Sequence, residues 1–170
     1  MRRALDALYD GSAALGAVCM VLLLVAVMLS IVSRQLHFNI AGIDAYAAYL
    51  MAAAGFLALA HTLKRGEHIR VTLVLSALPP RARRAFEIWS LAAASLLAAL
   101  FAFYACKLAW QSHTFHDIST ANDATPLWLP QLSMAIGAVV LVIAFVDELV
   151  LELRGRRAAP LVAAEALRNE

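Results

Sequence analysis

The histidines are the side chains of this sequence best suited to hold a metal or a haem. His113 and His116 stand three residues apart, which would put two imidazoles on one face of a helix. Haem ligation between facing helices needs two histidines at one depth, and His61 has no such counterpart in another apolar run. The alternative for His113 and His116, a solvated loop, fits their polar surroundings better.

No other grouping of residues suggests catalysis. The chain shows no Ser/His/Asp set, no phosphate-binding loop and no zinc-type spacing. Cys19 and Cys106 fall in different apolar runs whose depths differ by roughly 20 Å at the helical rise, whereas a disulfide needs Cα atoms within about 7 Å. We predict two free, buried thiols, no catalytic residue, no metal site and no resident cofactor.

The elements that carry these residues are apolar runs. The chain is 63% hydrophobic, and its four long runs cover about 13–33, 43–63, 86–110 and 127–150. Each approaches the ~20 residues that cross a bilayer, and backbone groups in lipid must bond within their own segment. The sequence predicts an all-α integral membrane protein with four transmembrane helices. Residues 1–170 would form one membrane domain with a cytoplasmic tail at 153–170, and the first run would be retained as a span.

The basic residues predict the orientation. Of the 14 Lys and Arg residues, only Arg34 and Lys107 fall on one side of the four spans. This bias places both termini and the loop between spans 2 and 3 in the cytoplasm. The residues that would orient the middle of the chain are Lys64, Arg65, Arg81, Arg83 and Arg84.

The spans lack the usual signs of a transport pathway. Asp44 and Glu87 sit at helix starts, while Asp147 and Glu148 sit at a helix end. Transport proteins place ionisable residues at mid-depth or break paired helices near the midplane. We therefore predict that this chain is not the pathway itself.

Small residues recur at four-residue spacing in the last two spans, at Ala94, Ala98 and Ala102 and again at Ser133 and Gly137. Such stripes let helix backbones approach closely in lipid. Two interpretations are open. The stripes could pack within a four-helix bundle, or they could form a groove for helices of a second membrane protein.

The segment "HIRVTLVLSAL" is too short to span. It runs from His68 to Leu78, is flanked by basic residues and ends at Pro79. We predict a short interfacial arm helix over about 68–78, with its apolar side in the membrane surface. It could be a plain linker or a lateral arm against a partner.

Two segments resemble a known family. "GEHIRVTLVLSALPPRARR" after the second span and "TPLWLPQLSMAIG" at the fourth are similar to the small, DctQ-like membrane subunit of tripartite ATP-independent periplasmic (TRAP) transporters. Gly66, His68, Ile69, Arg70 and Val71 match the family pattern, whereas Thr72 stands where Asp is usual. The resemblance covers about residues 10–152.

The resemblance implies a scaffolding role in the bacterial inner membrane. Such a subunit pairs with a large membrane subunit that carries the substrate and coupling-ion sites, with sodium the expected ion. A periplasmic binding protein delivers the solute, typically an organic acid. The partners expected are these two proteins and lipid, not nucleic acid. The residues expected at the partner or lipid interface are His68, Ile69, Arg70, Val71, Trp128 and Pro130.

The outer face carries further candidates. Trp110 and Trp128 could be interfacial belt aromatics or could contact the binding protein. Asp117 and Asp123 would make this surface acidic, and Arg34 could pair with Asp44. The remaining alternatives are a self-contained small four-helix exporter, which would need a carboxylate in the first helix, and an assembly subunit of another membrane complex.

Overall fold

Four long helices account for most of the structure, a computed structural model that describes residues 2–38, 40–64, 79–121 and 123–155. They are α1 (Arg2–Gln35), α2 (Ile43–Lys64), α3 (Pro80–Thr114) and α4 (Trp128–Leu153). All four are long and apolar enough to cross a membrane. The predicted all-helical fold with four spans is confirmed. The predicted arm helix at 68–78 and most of the tail, 156–170, lie outside the described residues.

Helices α1 and α3 begin well before the predicted spans. We predicted spans from about 13 and 86, whereas the helices start at Arg2 and Pro80. Both extra segments are polar, and a helix can continue into water beyond the hydrocarbon core. Pro80 suits the first position of α3, because the amide it lacks would have no partner there. Pro130 lies in the first turn of α4 for the same reason.

The helices pack as an open row in the order α1, α2, α4, α3. Helices α2 and α4 are central, while α1 and α3 form the two edges. Of the two interpretations of the small-residue stripes, the structure favours packing inside the chain, because Ala98 and Ala102 are buried and Gly137 lies against Phe56. A row results because each edge helix offers a narrow stripe of small residues to one neighbour and large aliphatic residues elsewhere.

The stripe on α1 repeats every three or four residues, as in a coiled-coil seam. Its positions are buried or half-buried: Tyr9, Ser12, Gly16, Cys19, Leu23, Ala26, Ser30 and Ser33. At Gly16, an added Cβ would lie 3.3 Å from the carbonyl oxygen of Ala54. The Ser12 hydroxyl donates a hydrogen bond of 2.6 Å to the Leu57 carbonyl. We call this stripe the α1 seam.

Helix α3 has a corresponding stripe. Its buried residues follow the same spacing and are Leu91, Ser95, Ala98, Ala102, Ala105, Ala109 and Ser112. Its Cys106 is exposed, not buried as predicted, because it lies off this stripe. Between the central helices, Gly137 of α4 lies so close to α2 that a Cβ would fall 2.6 Å from the Phe56 backbone.

The row has two distinct ends. At the basic end, α1 and α3 begin and α2 and α4 end, and the basic residues there include Lys64, Arg81, Arg83, Arg84 and Arg154. At the loop end, residues 36–42 connect α1 to α2 and residues 115–127 connect α3 to α4. A cluster of buried apolar residues lies toward the basic end, around Tyr9, Ala60, Leu63, Val140 and Ala144.

Candidate functional site

The two connections at the loop end pack directly on each other. Gly42 has a φ of +80°, and a Cβ built on it would lie 2.5 Å from the Cβ of Asp123. Within the second connection, Ile118 and Pro126 form an isolated antiparallel bridge. The Leu127 amide donates to the Asp117 carbonyl at 3.0 Å. The loops therefore form one joined surface, which requires glycine at position 42.

Hydroxyl groups connect this surface to α2. The Tyr49 hydroxyl donates to Ser119 Oγ at 2.9 Å, and Thr125 Oγ1 donates to the Tyr46 hydroxyl at 3.0 Å. The rings of Tyr46 and Tyr49 meet edge to face with centroids 6.2 Å apart. The start of α2 thus holds the second connection at two points.

The carboxylate of Asp123 is enclosed by these groups. Both its oxygens are closed to solvent, and no donor in the described part of the chain reaches them with ordinary hydrogen-bond geometry. Burial raises the pKa of Asp123, but attraction from the Thr125, Ser119 and Tyr49 hydroxyls and from its own backbone outweighs burial and lowers the pKa below its usual value. Asp123 is therefore a charged residue enclosed between the two connections.

The predicted pair between Arg34 and Asp44 forms at the end of the first hairpin. Arg34 Nη2 lies 2.8 Å from Asp44 Oδ2, and Ser30 Oγ donates to Asp44 Oδ1 at 2.7 Å. Both charged side chains are more than two-thirds exposed, so the pair contributes little to stability. With His37 and Phe38 they line an open pocket of about 250 Å³.

The two tryptophans at the loop end differ in their surroundings. Trp128 is half-buried, and its ring meets the imidazole of His113 edge to face at 5.4 Å. Trp110 is 73% exposed on α3. Pro130 is half-buried, and its carbonyl accepts the Ser133 hydroxyl at 2.7 Å. Trp128 and Pro130 thus fix the start of α4, while Trp110 faces outward.

His113 and His116 do not share a helical face. Helix α3 ends at Thr114, and His116 lies beyond it in a turn with a φ of 55°. Among the described residues, no group of three or more His, Cys, Asp or Glu side chains could hold a metal ion. The spacing of the two histidines therefore does not place both imidazoles on one helical face, because the helix ends between them.

At the basic end, contacts between polar side chains join neighbouring helices. Lys64 of α2 pairs with Asp6 of α1 and lies over the Tyr9 ring at 5.3 Å. His61 Nδ1 is 3.4 Å from Asp10 Oδ1. The sequence analysis missed Asp6, Tyr9 and Asp10, although Tyr9 continues the three-and-four spacing of the α1 seam and could have been found from it.

The other orienting cations sit on α3. Arg83 pairs with Glu87 one turn along the helix at 3.2 Å, and Arg84 donates to the Leu153 carbonyl at 3.3 Å. Arg81 is exposed. The predicted interface residues His68, Ile69, Arg70 and Val71, and the orienting residue Arg65, lie outside the described residues.

The four apolar helices and their exposed surfaces define a class of protein. It is a polytopic helical membrane protein whose open row leaves large apolar surfaces and whose described spans carry charges only toward their ends. Residues 23–155 match the family "Tripartite ATP-independent periplasmic transporters, DctQ component". The chain belongs to this family, the small membrane component of TRAP transporters, and the resemblance seen in the sequence is confirmed. No curated protein matches the chain.

Proposed function

We propose that this chain is a scaffold subunit for a large membrane subunit, which imports an organic acid at the expense of an ion gradient. The observation that carries the proposal is the open helix row. Its edge helices leave most of their aliphatic side chains exposed, including Leu15 and Val21 of α1 and Leu97 of α3. A four-helix protein that worked alone would be expected to enclose a polar pathway, whereas a scaffold needs wide apolar surfaces.

The orientation and localisation follow from charge. The basic end would face the cytoplasm of a bacterial cell and the loop end the periplasm. The coupling ion, expected to be sodium, and the solute would bind in the large subunit. This chain would hold no cofactor and perform no reaction.

The loop end is the surface we propose for contact with a periplasmic binding protein. It exposes the apolar residues Phe115 and Ile118 beside the charged Asp117. Because the two connections are locked together through Gly42 and Asp123, this surface is preformed, which lowers the entropy lost on binding.

Co-purification tests the scaffold proposal. A tagged copy would be expressed with its genomic neighbours, extracted in mild detergent and analysed for what elutes with it. A stoichiometric large polytopic protein that imports an organic acid only with this chain present supports the proposal. Recovery of the chain alone, as an oligomer that moves solute in liposomes, would favour the small exporter. A partner that is not a transporter would favour the assembly subunit.

A further inference from the structure

An open pocket at the loop end joins the last turn of α1 to the first turn of α2. Arg34 is the second-to-last residue of α1 and Asp44 is the second residue of α2, and their side chains pair at 2.8 Å. The pocket has a volume of about 250 Å³ and is also lined by Ser30, Ser33 and His37. Its wall therefore combines a guanidinium, a carboxylate, an imidazole and hydroxyl groups.

The ion pair leaves much of the hydrogen-bonding capacity of both side chains available. A guanidinium has five N–H donors, and an ionised carboxylate accepts at about four positions. Among the described residues, Arg34 donates from Nη2 to Asp44 Oδ2, and Ser30 Oγ donates to Asp44 Oδ1. The side chains of Arg34 and Asp44 are 72% and 68% exposed. The pocket can therefore bind a molecule that carries an anionic and a cationic group close together.

Apolar residues continue from the pocket along the span on both helices. On α1, Val27 and Ile31 lie seven and three residues before the arginine of the ion pair, so they share its helical face. On α2, Ala48 and Met51 follow the aspartate by four and seven residues and share the face of that side chain. All four residues are exposed. Because the ion pair joins the two faces, these apolar residues border one another below the pocket.

The α2 side of this surface is low, which leaves a furrow beside α1. Ala48 has only a methyl group, and a Cβ built on Gly55 would have no atom within 4 Å. Gly55 lies eleven residues after Asp44, which is about 16 Å at the helical rise. This length is close to half of the ~30 Å hydrocarbon core, the depth of one lipid leaflet. We call the surface the α1/α2 furrow, formed by Val27, Ile31, Ala48, Met51 and Gly55.

The polar pocket and the furrow together match a phospholipid whose headgroup carries a primary ammonium beside its phosphate. The pocket lies where two spans end, at the same end of the row as Trp110 and Trp128, and tryptophan is typical of the boundary between hydrocarbon and headgroups. A protein seated here would have to remove both charges of the ion pair from water, whereas the cores of protein interfaces are depleted of charged residues. A zwitterionic headgroup supplies a partner for each charge and stays hydrated.

We propose that this pocket binds the headgroup of such a phospholipid, with the phosphate on Arg34 and His37 and the ammonium on Asp44. One acyl chain lies in the α1/α2 furrow. The site goes beyond the scaffold function and does not depend on it, because every residue of the site belongs to this chain. A lipid bound here would keep this side of the α1–α2 pair in contact with the bilayer.

Native mass spectrometry of the full chain in mild detergent tests the headgroup assignment, with phosphatidylethanolamine and phosphatidylglycerol added in equal amounts. We expect phosphatidylethanolamine to be retained preferentially, because phosphatidylglycerol has the phosphate but no ammonium. Asp44→Asn should lower this preference about fivefold, and Arg34→Gln should lower the retention of both lipids. Because the exposed ion pair contributes little to stability, both variants are expected to fold.

Asp6→Asn is the matched control, since Asp6 pairs with Lys64 between the same two helices at the basic end. It should leave the preference unchanged. No retained lipid, equal retention of the two lipids by the unsubstituted chain, or an equal loss in the Asp6 and Asp44 variants would overturn the proposal.

Two further measurements test the acyl chain. Glycerophosphoethanolamine, the same headgroup without chains, should not displace the lipid at equal concentration, and displacement would show that the pocket binds a free headgroup instead. Ala48→Trp fills the furrow next to the pocket and should lower lipid retention about threefold. Ala99→Trp, at an exposed position on α3, should not. Equal retention by the two tryptophan variants would contradict the place of the chain in the furrow.

Discussion

Asp123 lies directly against Gly42, with 2.5 Å between the Cβ of the aspartate and the point where a Cβ on the glycine would stand. Two connections that are far apart in the sequence are joined by this contact. Its consequence is a preformed loop end, and its sensitivity to a single added methyl group makes it easy to test.

Gly42→Ala should separate the two connections. The substitution meets both a positive φ of 80° and a contact with the Asp123 backbone at 2.9 Å. Gly155→Ala is the matched control, because Gly155 has a φ of 62° but no atom within 4 Å of its added Cβ. We expect faster proteolysis within 115–127 in the Gly42 variant and no change in the control. Equal proteolysis of the two variants would show that the loop contact is unimportant.

Gly137→Ala should loosen the central contact between α2 and α4. The added Cβ would lie 2.6 Å from the Phe56 carbonyl group, and backbone cannot rotate away as a side chain can. We expect a loss of about 1–3 kcal/mol, measured as a lower thermal midpoint in detergent. Gly55→Ala, with nothing within 4 Å, should be neutral or stabilising. An unchanged thermal midpoint for Gly137→Ala would contradict the close contact between α2 and α4.

The charge on Asp123 should make the loop end sensitive to acid. Its pKa in the folded chain is lowered, because the Thr125, Ser119 and Tyr49 hydroxyls and its backbone outweigh the effect of burial. Its contribution to stability is then fully present above the unfolded pKa of about 3.9 and is lost as the pH falls through the folded pKa. Thermal midpoints between neutral pH and about pH 3 should drop less for Asp123→Asn than for the unsubstituted chain. Parallel curves would contradict this role.

Tyr49→Phe should weaken the attachment of the second connection to α2. The substitution removes the donor of the 2.9 Å hydrogen bond to Ser119, at a cost of about 0.5–1.5 kcal/mol. Tyr104→Phe provides the comparison, since Tyr104 is 56% exposed on α3. Thermal unfolding of both variants in the same detergent would measure the difference. If the Tyr104 variant loses as much stability as the Tyr49 variant, the bond contributes nothing specific.

The sequence predicted the spans because apolar length and charge are local properties. It predicted four helices and the Arg34–Asp44 pair, although α1 and α3 begin before the predicted spans. It did not predict the open row. A small-residue stripe such as that of Ala98 and Ala102 indicates that another helix packs closely, but it does not indicate which helix that is. The burial predicted for Cys106 was wrong for a related reason. Whether this side chain faces α4 or points away from it depends on which residues of α3 form the buried stripe.

The contact between the two connections at the loop end could not be predicted from the sequence for a different reason. The contact between Gly42 and Asp123 spans 81 residues and depends on how α2 and α3 are placed. Neither residue belongs to a motif.

The central claim is that this chain supports transport without being its pathway. The most direct test is uptake of an organic acid into proteoliposomes with an inward sodium gradient and the cognate binding protein outside. The account predicts uptake only when this chain and the large subunit are both present, and none with this chain alone. Gradient-driven uptake by this chain without the large subunit would contradict the account.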